Sequence, residues 1–297
     1  MGKPAYPQTT DEVANALFTT SVGPGWDLLT WLAQVRYLTA ELVALRFYPT
    51  ARGVRSAAHR LTQLTEWRVG GEPLMAIRPA RTRRPIYYLT EAGARLVSDY
   101  LQQPIRAFWH DALGRVSEGI VQHYLAVTEF EVALRWHAAR SAGEVHNWYR
   151  EPVIETEAGE LRPDAGFTYS QGGRTWCYAV EIDRATEAPA KFAGKLPKYA
   201  SLHKAARYRV YWEDLPDCLV IAVAGGMTRA QRLMAEINRL PRGPDEYRRF
   251  RYVAAEEIYY LPPSVGGQLP QVATGFELAA CLVTNKQGEI VRRAVFG

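Results

Sequence analysis

Residues 161–183 run Leu-Arg-Pro-Asp-Ala-Gly-Phe-Thr-Tyr, then Ser-Gln-Gly-Gly, then Arg-Thr-Trp-Cys-Tyr-Ala-Val-Glu-Ile-Asp. No other stretch limits the fold as tightly. A turn from Ser170 to Gly173 between two strand-like runs predicts a β-hairpin, and a tight closure brings Asp164 opposite Val180 or Glu181. The period of two in a strand puts Glu181 and Asp183 on one face. Three acids then converge on one spot. Mg²⁺ is held by a few carboxylates plus water and phosphate oxygens, and there it serves phosphodiester cleavage. The same residues also suit a Pro-Asp turn and a strand end in solvent, so the rest of the chain has to decide between the two readings.

With 297 residues, 47% of them hydrophobic and 23% charged, the chain has room for two cores and is neither disordered nor fibrous. No apolar run reaches the roughly eighteen residues of a membrane span. The opening Met-Gly-Lys-Pro-Ala-Tyr-Pro-Gln lacks the apolar stretch of a secretory signal, so a cytoplasmic location is expected, with no membrane partner. Cys177, Cys218 and Cys281 form no Cys-x-x-Cys pair and are expected as core thiols.

Charge is unevenly spread. The whole chain carries a net +5, yet Arg46 to Arg84 alone holds nine arginines against Glu66 and Glu72, an excess of seven. Such density suits phosphate contacts. The surrounding pattern predicts a winged helix-turn-helix. Asp27 is placed to cap a first helix and Thr39 a second that stops before Pro49. In a third helix after Thr50, Val54, Ala57, Ala58, Leu61 and Leu64 define the apolar side. Arg52, Arg55, Ser56, His59 and Gln63 fall on the opposite side, the one a major groove would receive. A hairpin follows, with strands Leu74 to Ile77 and Ile86 to Leu89. Arg78, Arg81, Arg83 and Arg84 stand in its loop, placed to meet the phosphate backbone or the minor groove. The run Tyr87-Tyr-Leu-Thr-Glu-Ala-Gly predicts a strand-to-helix exit capped by Thr90. Double-stranded DNA is thus the expected partner, and a homodimer on a two-fold site is a further expectation. Trp26, Trp31, Trp67, Trp136 and Trp176 lie in apolar-patterned segments and are expected in cores rather than stacked on bases.

We expect an N-terminal arm over residues 1–26, the winged helix over 27–110, a second domain over 117–260 and an extension over 261–297. The second domain reads as a helix from Glu118 to Arg140, a strand near Val153 to Thr156 and the Pro-Asp hairpin. A helix around Ala188 to Ala206, a strand Cys218 to Ala224 and a helix Thr228 to Leu240 follow. This αβββαβ order, with Pro163, Asp164 and Glu181, resembles the restriction-endonuclease-like fold of PD-(D/E)-x-K nucleases, giving an α/β (α+β) chain overall. The resemblance implies Asp164 and Glu181 as catalytic acids around one or two ions, with Asp183 added by the shared strand face. It also implies Asp164, Glu181 and an acid of the first helix, Glu129 or else Glu131, as ligands of Mg²⁺ or Mn²⁺. There is one departure. Asp183 stands where those nucleases have Lys, the residue associated with transition-state charge. Lys191, Lys195 and Lys198 of the next helix are candidates to replace it, Lys195 foremost, because Pro197 would kink the helix and turn Lys198 away.

The winged helix with its exit run, His123-Tyr-Leu-Ala-Val-Thr-Glu129, Arg162-Pro-Asp164, Glu181-Ile-Asp-Arg-Ala-Thr-Glu187 and Lys195-Leu-Pro-Lys-Tyr199 together resemble the replication-relaxation family of plasmid and mobile-element proteins. The resemblance runs from about Asp27 to Leu240. It implies a DNA-binding protein linked to plasmid replication and relaxation, with replication or mobilisation proteins as further partners. It leaves two readings of the second domain: a metal-dependent nuclease, or a scaffold of nuclease fold in a non-enzymatic regulator or replication accessory factor.

Overall fold

The computed structural model describes residues 9–19, 24–49, 52–78, 84–105, 116–184, 189–212, 215, 217–238, 249–254, 281–284 and 290–293. These divide into two units after Val132. The architecture is mixed α/β, and among the described residues no helix is long and apolar enough to cross a membrane.

The first unit begins with helices α1 (Thr10–Thr19), α2 (Trp26–Val35), α3 (Ala40–Phe47) and α4 (Gly53–Glu66). Two short strands, β1 (Arg68–Val69) and β2 (Glu72–Pro73), turn back through Gly70-Gly71. The antiparallel pair β3 (Met75–Arg78) and β4 (Ile86–Leu89) follows, then α5 (Glu91–Leu101) and the first part of α6 (Glu118–Arg140). Tyr87 in β4 also exchanges backbone hydrogen bonds with Leu38, at 3.0 and 2.8 Å, which ties the hairpin to the turn between α2 and α3. Leu28, Leu29, Trp31 and Leu32 of α2, Leu42 and Val43 of α3, and Ala57, Leu61 and Leu64 of α4 are all buried in its core.

Local signals explain where these helices begin. Thr39 caps α3, its hydroxyl accepting the Leu42 N–H, and Thr90 caps α5 by accepting the Gly93 N–H at 3.2 Å. Asp27 does not cap α2. The helix starts one residue earlier with Gly25 at the cap position, which puts Asp27 in the first turn, where its charge still meets the positive end of the helix dipole. Trp26, Trp31 and Trp67 are buried, whereas Trp136 and Trp176 are half-buried.

The second unit, from Ala133 onward, is built on a seven-stranded mixed sheet. Its strands are β5 (Gly143–Arg150), β8 (Ala165–Gln171), β9 (Arg174–Asp183), β10 (Cys218–Ala224), β11 (Phe250–Ala254), β12 (Cys281–Thr284) and β13 (Ile290–Arg293), in the order β13-β12-β11-β10-β9-β8-β5. The strands β5, β8 and β9 form an antiparallel meander, and β9, β10 and β11 run parallel. Between the parallel strands come α7 (Pro189–Ala193) with α8 (Leu196–Lys204), and then α9 (Met227–Asn238). Two successive crossovers in the same direction put their helices on one side of a sheet. One apolar cluster accordingly joins Leu196, Tyr199 and Leu202 of α8 and Ala230, Leu233 and Met234 of α9 to Cys177, Ala179, Val220 and Ala222 of the strands.

Two expectations for this unit need correction. The first strand of the meander is β5, not Val153 to Thr156. Residues Ile154–Thr156 form β6, which pairs with β7 (Gly159–Leu161) in a small hairpin outside the sheet. A bulge between His146 and Tyr149, with Asn147 at φ 48°, shifts the phase of β5 and erases the alternation that would mark a strand. The helix expected over residues 188–206 is two helices. Pro197 kinks neither, because it sits in the first turn of α8, where no backbone N–H is required.

Gly93 lies where the start of α5 meets the chain after β2, and a Cβ there would collide with the carbonyl oxygen of Leu74. We expect Gly93→Ala to destabilise the first unit by about 2 kcal/mol, the scale of an overpacked core. Thermal unfolding checks this: a lowered Tm is expected, and an unchanged Tm contradicts the packing described.

Candidate functional site

The hairpin of β8 and β9 turns through Gly172 and Gly173, at φ 57° and 75°, between the paired residues Gln171 and Arg174. Two consecutive positive φ angles mark a two-residue turn of the type whose twist suits a tight hairpin. It sets the register Ala165↔Val180. Asp164, the residue just before β8, then lies beside Glu181, close enough for its charge to act on that carboxyl. The pairing continues through side chain and backbone. The Asp164 N–H donates to Val180 O at 2.9 Å, and the Asp164 carboxylate accepts the Ile182 N–H at 2.7 Å.

Glu181 is 2% exposed. Its two carboxylate oxygens are met from α8: the Tyr199 hydroxyl donates to Oε1 at 2.7 Å and Lys195 Nζ donates to Oε2 at 2.5 Å. Lys195 and Tyr199 are four residues apart at the start of one helix, the spacing that stacks side chains on one face. The Lys195 side chain is 37% exposed, so it links a buried carboxylate to solvent. Burial, and then the charge of Asp164, push the Glu181 carboxyl up to about 7 against the pull of Lys195 and Tyr199. Burial and the Glu181 charge raise the Tyr199 hydroxyl well above its usual 10, so it stays protonated and remains a donor.

Asp183 has a different partner. Its Oδ2 accepts a hydrogen bond from Arg229 Nε in the first turn of α9, at 2.7 Å, with both side chains almost buried. Lys198 is turned away from Glu181 and donates to Glu160 O at 2.9 Å, while Lys191 is exposed. Glu129 is half-buried in the part of α6 that belongs to the first unit, and its neighbour Glu131 faces Arg46 at 3.6 Å. Among the described residues, no three His, Cys, Asp or Glu side chains gather as a metal-binding group. Asp164 and Glu181 are the carboxylates that come together, and the donor set suits a hard divalent cation completed by water and phosphate. Such an ion would offset the burial and the neighbouring Asp164 charge that raise the Glu181 carboxyl.

In the first unit, Arg52, Arg55, Ser56 and His59 are exposed along α4, and Gln63 is half-buried with its amide 3.2 Å from the His59 ring. The other arginines of the dense stretch divide. Arg60 is buried on Trp67, with ring and guanidinium 5.0 Å apart, and Arg46 lies over Trp31 at 4.5 Å. Arg78 donates to Val116 O at 2.9 Å and faces Glu118, which turns it inward from the expected hairpin surface. Arg84 is exposed beside Glu41 at 3.6 Å. Arg81 and Arg83 lie outside the described residues.

Residues 29–212 match the replication-relaxation family, more than half of the chain. The chain belongs to that family. Comparison with curated proteins and with solved structures gave no match. Membership in the replication-relaxation family ties the chain to a replication-related role. The matched segment contains α4, Asp164, Glu181, Asp183, Lys195 and Tyr199, whereas Arg229 lies beyond it. Tyr199 and Arg229 are the two residues of the carboxylate site that sequence reasoning missed. The four-residue step from Lys195 was the available signal for Tyr199.

The folded chain holds the Glu181 proton more tightly than an unfolded chain, whose carboxyl titrates near 4.5. Stability therefore falls as pH rises from 4.5 through 7, by at most about 3 kcal/mol. Glu181→Gln removes this dependence. In EDTA, the loss of Tm between about pH 5 and pH 8 is expected to be smaller in Glu181→Gln than in the unaltered chain; an equal loss contradicts the burial of that charge.

Proposed function

We propose that this protein binds duplex DNA in plasmid or mobile-element replication, and that its second unit is a nuclease-like domain with a metal-dependent phosphodiester-cleaving site. One observation carries the reading: a buried Glu181 near the end of the inner strand β9, beside Asp164 and gripped by Lys195 from the following helix. An ion pair that only stabilised the fold would gain little from burying a carboxylate against a second carboxylate. Groups with opposed demands of this kind are the mark of a functional site.

In the second unit, Asp164 and Glu181 would hold Mg²⁺ or Mn²⁺. When bound, the ion supplies a Lewis acid and an activated water for attack on phosphorus. The chain's own part is positioning and charge. Tyr199 fixes one Glu181 oxygen, so the carboxylate cannot rotate away from Asp164. Lys195, reaching solvent from the other oxygen, stands to offset charge that develops on a phosphate. It supplies the cation missing at position 183.

In the first unit, the order α2, α3, α4, β3, β4, α5 supports a winged helix with α4 as the recognition helix. Arg52, Arg55, Ser56 and His59 offer donors from an exposed face, and Arg84 stands at the base of the hairpin loop. Arg46, Arg60 and Arg78 are left to the core and to α6.

Two measurements test the halves separately. Supercoiled plasmid is expected to be nicked in Mg²⁺ but not in EDTA, with the activity lost at least about 100-fold in Asp164→Ala, the scale of removing a transition-state contributor. Intact plasmid together with a clear mobility shift would contradict cleavage and favour the accessory-factor reading. For the first unit, Arg52→Ala/Arg55→Ala is expected to weaken duplex binding and to flatten its log K against log salt slope by about two. An unchanged slope would remove α4 from the interface.

A further inference from the structure

Resting on the proposed ion site, we infer that Asp183 is a positioning residue for Arg229 rather than a metal ligand, so that the site takes one divalent cation held by Asp164 and Glu181. Asp183 and Glu181 share a face of β9 but lie about 7 Å apart along it, two residues of strand rise. Each is claimed by a different helix. Glu181 meets Lys195 and Tyr199 of α8, whereas Asp183 meets Arg229 of α9.

The topology explains the second claim. Ala224, the last residue of β10, pairs in parallel register with Asp183, the last residue of β9. Only Gly225 and Gly226 separate β10 from α9. The first turn of α9 therefore starts beside the end of β9, and Arg229 reaches back across it. With the two side chains 9% and 13% exposed, the pair is desolvated. A carboxylate that left it for a metal ion would give up a desolvated charge-assisted hydrogen bond. Asp183 thus occupies the position of the nuclease lysine without its charge and recovers a cation at the same end of the sheet by holding Arg229. Two carboxylates face the ion, and Lys195 and Arg229 flank them.

Titration of the full chain with Mn²⁺, followed by calorimetry and by the loss of the free-ion EPR signal, tests the assignment. We expect one ion per chain. Asp183→Asn should keep that stoichiometry with Kd within about threefold, while Glu181→Gln should weaken binding at least about tenfold. Asp183→Asn and Arg229→Gln should each lower Tm, and the double variant should be no worse than either single one, as for two halves of one interaction. If Asp183→Asn does not fold, the double variant, which leaves neither charge buried alone, gives the same stoichiometry reading. Two ions per chain, or loss of Mn²⁺ on Asp183→Asn as complete as on Glu181→Gln, would overturn the assignment while leaving the ion site itself in place. No Mn²⁺ binding by the unaltered chain would remove the site and the assignment together.

Discussion

A carboxylate taken out of water has to be matched by donors or by charge, and Glu181 is matched by both, at the seam where β9 meets α8. The match is deliberately incomplete in electrostatic terms. Lys195 and Tyr199 satisfy the two oxygens, yet burial and the neighbouring Asp164 still raise the Glu181 pKa to about 7. The residue is held in place and remains in want of positive charge. This tension is what the proposed ion would relieve, and the other features of the second unit serve to hold it there.

The sheet supplies the geometry. A two-glycine turn sets the β8–β9 register, Asp164 just before β8 bonds to Val180 and Ile182 on either side of Glu181, and parallel crossovers deliver α8 and α9 to the same face. Each helix then contributes one basic residue to one acid: Lys195 to Glu181 and Arg229 to Asp183. The first unit follows another economy. Among the described arginines of its dense stretch, Arg46 and Arg60 lie over tryptophan and Arg78 faces Glu118, whereas Arg52, Arg55 and Arg84 are exposed.

Much of this is legible from residue order, for definable reasons. The pairing of Asp164 with Glu181 follows from a turn whose chemistry dictates its length and from the period of a strand. The start of α3 and of α5 follows from a threonine whose hydroxyl accepts a backbone N–H. Other features hide because their cause is distant or their local pattern misleads. A bulge removes the alternation of β5. Tyr199 looks like any apolar-face aromatic until its hydroxyl is seen to have a buried partner 18 residues away. Arg229 resembles a solvent residue on an amphipathic helix, and its partner stands 46 residues upstream. Counting arginines overstates the basic patch, since the buried Arg60 guanidinium lies over the Trp67 ring.

The most direct test of the account is a crystal of the full chain grown with Mn²⁺, with diffraction recorded at the manganese absorption edge. One anomalous peak is expected in contact with the carboxylates of both Asp164 and Glu181, with Asp183 still bonded to Arg229. Absence of a peak between those two acids, with Mn²⁺ bound elsewhere or not at all, would contradict it.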